Sequence, residues 1–262
     1  MRTQRSALGI GAAVFLSGAV LLGVELVASR VLAPFFGNSI FVWGALIGVV
    51  LAGLSAGYWI GGVLADRFPA AQLLAGVLVV GAGTILLLPV IDDPLLEAIV
   101  EWDPGPRWNP LVAAVVLFGL PSVILATATP IAVRLRAQSV TTIGATAGRL
   151  FALSTAGSIV GTFATAFFLI PELGTNQLLG ILASVLFVAA GLVALGQRML
   201  VASAAIAILV AGSILATRAL APEEGGRLSG AAAQNWSPLY RLRGERQQIP
   251  APPGGFELVY SK

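Results

Sequence analysis

The 262-residue chain has no cysteine and no histidine. Disulfides, thiolate chemistry and the usual zinc, haem and iron–sulfur ligand sets are therefore excluded, as is the side chain most used to shuttle protons near neutral pH. Lysine occurs once, as Lys262, so the other 14 of the 15 basic residues are arginines. Charge of either sign is scarce: 10% of residues are charged and 57% are apolar, with a mean hydropathy of +0.93. A soluble domain carries about 25% charged residues. Too few charges remain here to clothe a surface in water, so lipid is the expected surroundings. The sequence pI of 9.9 does not indicate nucleic acid, because the arginines stand at the ends of apolar runs. That placement belongs to membrane topology.

About 20 apolar residues cross a hydrocarbon layer of about 30 Å. Seven runs meet or approach that length: Ala7–Ser29, Ile40–Leu64, Ala71–Ile91, Leu111–Val133, Leu150–Ile170, Leu178–Leu195 and Met199–Ala216. The first follows Arg2 and Arg5 as a signal peptide would, but its apolar part is too long and no small-residue cleavage site precedes its glutamate. It is expected to be retained. The predicted fold is all-α: a polytopic membrane helical bundle of about seven spans over residues 1–217. Residues 218–253 read as a linker, and 254–262 (with "FELVYSK") as the opening strand of a soluble domain encoded beyond or elsewhere.

The connections are short except Asp92–Pro110, "DDPLLEAIVEWDPGPRWNP", which reads as an acidic loop. Leu95–Val100 within it is expected to make one interfacial turn, with Trp102 and Trp108 at headgroup depth. Pro34 is expected to end the first helix. Gly37 and Asn38 suit left-handed turn positions, and Ser39 suits a helix cap. Arg2, Arg5, Arg67, Arg134, Arg136, Arg149 and Arg198 fall on one side, and only Arg30 and Arg107 on the other before the last span. The bias predicts a multi-pass protein of the cell membrane with its N-terminus in the cytoplasm. Seven spans then put the tail outside.

The second run holds Gly44, Gly48, Gly53, Gly57 and Gly61, spaced to lie along helix faces, and the fifth holds Gly157 and Gly161 beside Ser154, Ser158, Thr162 and Thr165. Close helix packing is the expected use of these small residues, and a substrate path the alternative. "GGVLADR", Gly61 to Arg67, resembles the loop between the second and third helices of major-facilitator transporters, although "FPAAQ" follows where that motif has more basic residues. Asp66 can there pair with an arginine and latch two helices, with Arg67, Arg134, Arg136 and Arg149 as candidates. These arginines also serve as topology anchors, or as ligands for an anionic lipid or phosphate.

Glu25 is the residue out of place. In a helix centred near Val20 it lies about 7 Å from the middle of the bilayer, where an unpaired carboxylate costs several kcal/mol. Arg30 is about 140° away around the helix, poor geometry for a local pair. A partner on another helix is expected, or a site for a cation or proton. Glu25, Arg30, Ser154 and Ser158 are the candidate substrate-binding residues. No catalytic residue, metal site or cofactor site is predicted in this chain.

"SGAVLLGVELVASRVLAPFFGNSIFVWGALIGVVLAGLSAGYWIGGVLADR" resembles the N-terminal membrane region of spermidine-synthase-like proteins, the fused major-facilitator/spermidine synthases. Ala128–Arg136 and Ala147–Thr175 resemble it too, in the same order and spacing. The resemblance implies an aminopropyltransferase domain that binds decarboxylated S-adenosylmethionine, present in cis or trans. That domain's glycine-rich loop and polyamine-holding acids are not in this chain. It also implies an integral membrane module that anchors that domain and handles a polyamine-like cation. The alternative is a free-standing solute transporter, or a half-transporter acting as a homodimer. The partners expected are the bilayer, the synthase domain and a second copy, with no nucleic acid.

Overall fold

The computed structural model describes residues 2–137 and 139–196, together with Leu209 and Gly212. Backbone contacts divide the chain into a unit Met1–Ala221 and a unit Pro222–Lys262, and all described residues belong to the first. Among them the regular structure is entirely helical. Six helices are long and apolar enough to cross a membrane. They are α1 (Arg2–Phe36), α2 (Ile40–Arg67), α3 (Ala71–Trp102), α4 (Trp108–Arg136), α5 (Ile143–Glu172) and α6 (Thr175–Gly196). The seventh expected span, Met199–Ala216, the linker 218–253 and the strand 254–262 lie outside the described residues, apart from Leu209 and Gly212.

Lipid is the medium these helices require. The most apolar stretch of α5 is only 17% buried within the protein, yet its mean hydropathy is 1.7. Phe167, Phe168, Trp59 and Val90 are each at least two-thirds exposed. A water-soluble monomer rarely exposes patches of this kind. This is the architecture of a multi-pass membrane protein.

The hub is α1, which packs along α5 and α6 and touches the other three; α2 lies against α4, and α3 against α6. Lipid tails are as apolar as leucine, so helices in lipid gain most from close approach. Glycine supplies it here. A Cβ on Gly157 would overlap the backbone of Phe15, and one on Gly161 the backbone of Ala19. Gly18 abuts the Ser154 carbonyl in return. Gly53, Gly57 and Gly61 of α2 meet Ser122, Val123 and Thr127 of α4 in the same manner. The packing reading of the glycine series therefore describes these positions, with two exceptions. Gly44 and Gly48 are exposed and have nothing within 4 Å, because α2 turns that part of its surface away from α4.

Three local expectations are corrected. Asp92–Pro110 is not a long loop: α3 runs on to Trp102 through Pro89 and Pro94, and α4 begins at Trp108. At about 1.5 Å per residue its 32 residues measure about 48 Å, so the helix outruns the hydrocarbon layer. Leu96 and Ile99 are buried and hold that extension against the bundle. Pro34 lies inside α1, which ends at Phe36: its fixed φ of about −65° is helical, it forfeits the one bond to the Arg30 carbonyl, and the Gly37 N–H still reaches the Ala33 carbonyl at 2.9 Å. Asn38 does not take a left-handed conformation; Gly37 alone does in that turn, at φ 71°. Ser39 caps α2 as expected, its hydroxyl accepting from the Val42 N–H at 3.4 Å.

The true connection from α3 to α4 is tight. Asp103 (φ 41°) and Gly105 (φ 110°) both take positive φ. Asn109 clamps the turn: its amide donates to Asp103 Oδ1 at 3.0 Å and its oxygen accepts from the Gly105 N–H at 3.1 Å. Two spans also contain wide π turns, Val115–Gly119 and Ala164–Leu169, each ending two residues before a proline, Pro121 and Pro171. Proline cannot donate to the carbonyl four residues back, and a π turn lets a later N–H reach it.

The glycine seam generates a stability prediction. Gly157→Leu forces α1 and α5 apart and costs about 2 kcal/mol or more. Gly148→Leu on the same helix, where a side chain meets open space, leaves stability within about 0.5 kcal/mol. Unfolding of the two variants in detergent checks the contrast.

Candidate functional site

The candidate residues fall into two groups at different depths. Glu25, Arg30, Ser154 and Ser158 lie along the α1–α5 seam and its far end. Asp66, Arg67, Arg134, Arg136 and Arg149 gather at the end of the bundle that carries the N-terminus.

On the seam, Ser158 Oγ donates to the Gly18 carbonyl at 3.1 Å, and Ser154 presses its backbone on the same glycine. Both serines are thus used in holding α1 to α5. Gly18 and Glu25 are seven positions apart, two helical turns, so Glu25 extends the face that α1 turns toward α5. Just before it Gly23 fits between Thr165 of α5 and Leu182 of α6, with both side chains 3.0 Å from where a Cβ would stand. Thr165 itself is buried.

Glu25 is half-buried, and no described residue gives it a hydrogen bond or an ion pair. The partner expected from a neighbouring helix is not among the described residues. Two residues before Glu25, the neighbours that α5 and α6 bring to Gly23 are Thr165 and Leu182, neither of them a cation.

Arg30 is occupied elsewhere. Its Nη1 donates to the carbonyls of Ile170 (3.1 Å) and Leu173 (3.0 Å), at the end of α5. The last carbonyls of a helix lack intrahelical donors and carry the negative end of its dipole, so a guanidinium satisfies both demands. Arg30 ties α1 to α5 at their common end.

At the opposite end Asp66 of α2 accepts from Arg134 Nε of α4 at 3.2 Å. The pair joins α2 to α4 between two of the candidate residues. The two side chains are 81% and 48% exposed, which limits the pair to about 0–1 kcal/mol. Arg67 lies over the ring of Phe68 at 5.8 Å. Arg136 and Arg149 have no ion pair among the described residues and line a cavity between the starts of α1 and α5.

Asp92, expected in a loop, is buried in α3 and accepts from the Asp93 N–H at 2.9 Å. The helical spacing of Ile85, Leu88, Leu96 and Ile99 carries the signal of that continuation, across the prolines that mask it. Among the described residues no three histidine, cysteine or acidic side chains converge as a metal site would require.

Comparison with known proteins finds no matching family model, no matching curated protein and no matching solved structure.

The two polar links differ in weight. Arg30→Leu removes charge-assisted bonds to two helix-terminal carbonyls and lowers stability by about 1–3 kcal/mol. Asp66→Asn, at an exposed pair, changes it by less than about 1 kcal/mol. Thermal unfolding in lipid nanodiscs measures both.

Proposed function

We propose that this chain is the membrane module of a spermidine-synthase-like, polyamine aminopropyltransferase-like protein, and that it handles a polyamine-like organic cation at Glu25. The observation that carries this reading is a carboxylate within an apolar span with no cationic partner among the described residues. A membrane-embedded carboxylate needs a proton or a cation, and such residues mark substrate and ion paths far more often than surface ones do. An alkylammonium supplies the charge, and its methylene chain suits the apolar walls offered by α1, α5 and α6.

The same proposal places the module in the cell membrane with the arginine-rich end in the cytoplasm, following the positive-inside rule. Its kinship with major-facilitator helices is supported by the Asp66–Arg134 pair, which links α2 to α4 where the Gly61–Arg67 motif predicts a latch. An aminopropyltransferase domain, joined in cis or supplied in trans, would bind decarboxylated S-adenosylmethionine. This chain's contribution is the anchor and the passage.

Flux of labelled spermidine into proteoliposomes tests the reading. Glu25→Gln lowers it at least about tenfold, the cost of losing about 1.4 kcal/mol of charge pairing. Ser55→Ala, at an exposed serine of α2 that bonds only its own helix, leaves it unchanged. Equal flux through wild type and Glu25→Gln takes Glu25 out of the site.

A further inference from the structure

The α1–α5 seam is closed in its middle and open at one end, and the opening is of a particular chemical kind. The two helices run parallel and touch backbone to backbone at Phe15–Gly157 and Ala19–Gly161. One turn nearer the N-terminal end, Gly11 no longer meets backbone; its nearest neighbour is the tip of Leu153, 3.4 Å from where a Cβ would be. The helices have begun to splay. The wedge between them is a cavity of about 650 Å³, within the range of about 300–1,000 Å³ typical of small-molecule sites.

Its lining is graded along its length. Phe15, Leu150 and Leu153 form the deep part, and Thr146, Arg149 and Arg136 stand at the mouth. On α5 the spacing Thr146, Arg149, Leu150, Leu153 puts polar and apolar members on one face, the polar ones nearer the helix start. From Arg149 to Gly157, where the wedge closes, is eight residues or about 12 Å. Both guanidiniums are exposed, and no described acid answers them. Asp66, the acid at this end of α2, is engaged by Arg134.

We propose that this wedge is a binding site for a phosphate-headed anionic lipid, with the headgroup between Arg136 and Arg149 and one acyl chain running up the seam to Phe15. Charge complementarity selects the headgroup: two guanidiniums that no described acid answers favour a phosphodiester with net negative charge over a zwitterion. The apolar depth selects a chain over a free anion. A seam that ended flush would offer the arginines as topology anchors alone. The splay below Gly157 turns them into a site, and a lipid seated there would wedge α1 against α5 next to the packing that positions Glu25.

Native mass spectrometry of the full chain, released from micelles containing phosphatidylglycerol, phosphatidylcholine or inorganic phosphate, decides the matter. The wild type is expected to retain one phosphatidylglycerol at least about tenfold more tightly than phosphatidylcholine, a difference of about 1.4 kcal/mol. The double variant Arg136→Gln/Arg149→Gln, at exposed positions that do not disturb folding, brings that ratio near unity. Gly11→Phe, which fills the wedge and leaves both arginines in place, abolishes retention. Three results would overturn the site: equal retention of the two lipids, an unchanged preference in the double variant, or displacement of the lipid by an equal concentration of inorganic phosphate.

Discussion

The structure depends on the contact between the backbones of α1 and α5. In water a helix pair is driven together by burying apolar side chains; in lipid that drive is absent, and dispersion at short range must replace it. Gly157 and Gly161 permit the approach, and α1 thereby becomes the axis on which α5 and α6 are mounted. Gly53, Gly57 and Gly61 repeat the device between α2 and α4. The residues that α5 sets against this part of α1 are Gly157, Gly161, Ser158 and Thr165, and no described residue gives Glu25 a cationic partner.

Polar groups at the ends follow from the same economy of donors. Prolines 121 and 171 remove N–H groups from α4 and α5, the π turns recover part of the loss, and Arg30 supplies donors to the carbonyls left over at the end of α5. The Asn109 clamp does comparable work in the turn after α3. Each device is local and each answers a specific missing hydrogen bond. The arginines at the other end differ in kind. One is paired with Asp66, one rests on an aromatic ring, and two face a wedge with no acid among the described residues to meet them.

Much of this was legible in the residues. Six apolar runs became six helices, since the length needed to cross hydrocarbon and the rarity of charge are crude, strong signals. The Ser39 cap was legible because its chemistry is short-range and its spacing diagnostic. Two readings misled. The acidic stretch from Asp92 read as a loop and Pro34 as a helix end, whereas packing of Leu96 and Ile99 carries α3 on through Pro94 and α1 continues two residues past Pro34. Which glycines pack could not be read from spacing, because Gly44 and Gly53 stand in the same helix with the same periodicity and only the position of α4 separates them. The role of Arg30 was hidden for a similar reason, as its acceptors lie 140 and 143 residues away.

Absence of cysteine makes the central contact directly measurable, since any introduced pair is the only pair in the chain. Gly23→Cys with Thr165→Cys places two thiols across the α1–α5 seam, and Gly23→Cys with Gly148→Cys places the second at an open position of α5, 17 residues or about 25 Å nearer that helix's start. Oxidation in native membranes should join the first pair within the monomer and leave the second unjoined. Failure of the first pair to join, with both thiols reactive to a small maleimide, would contradict the seam and with it the placement of Glu25.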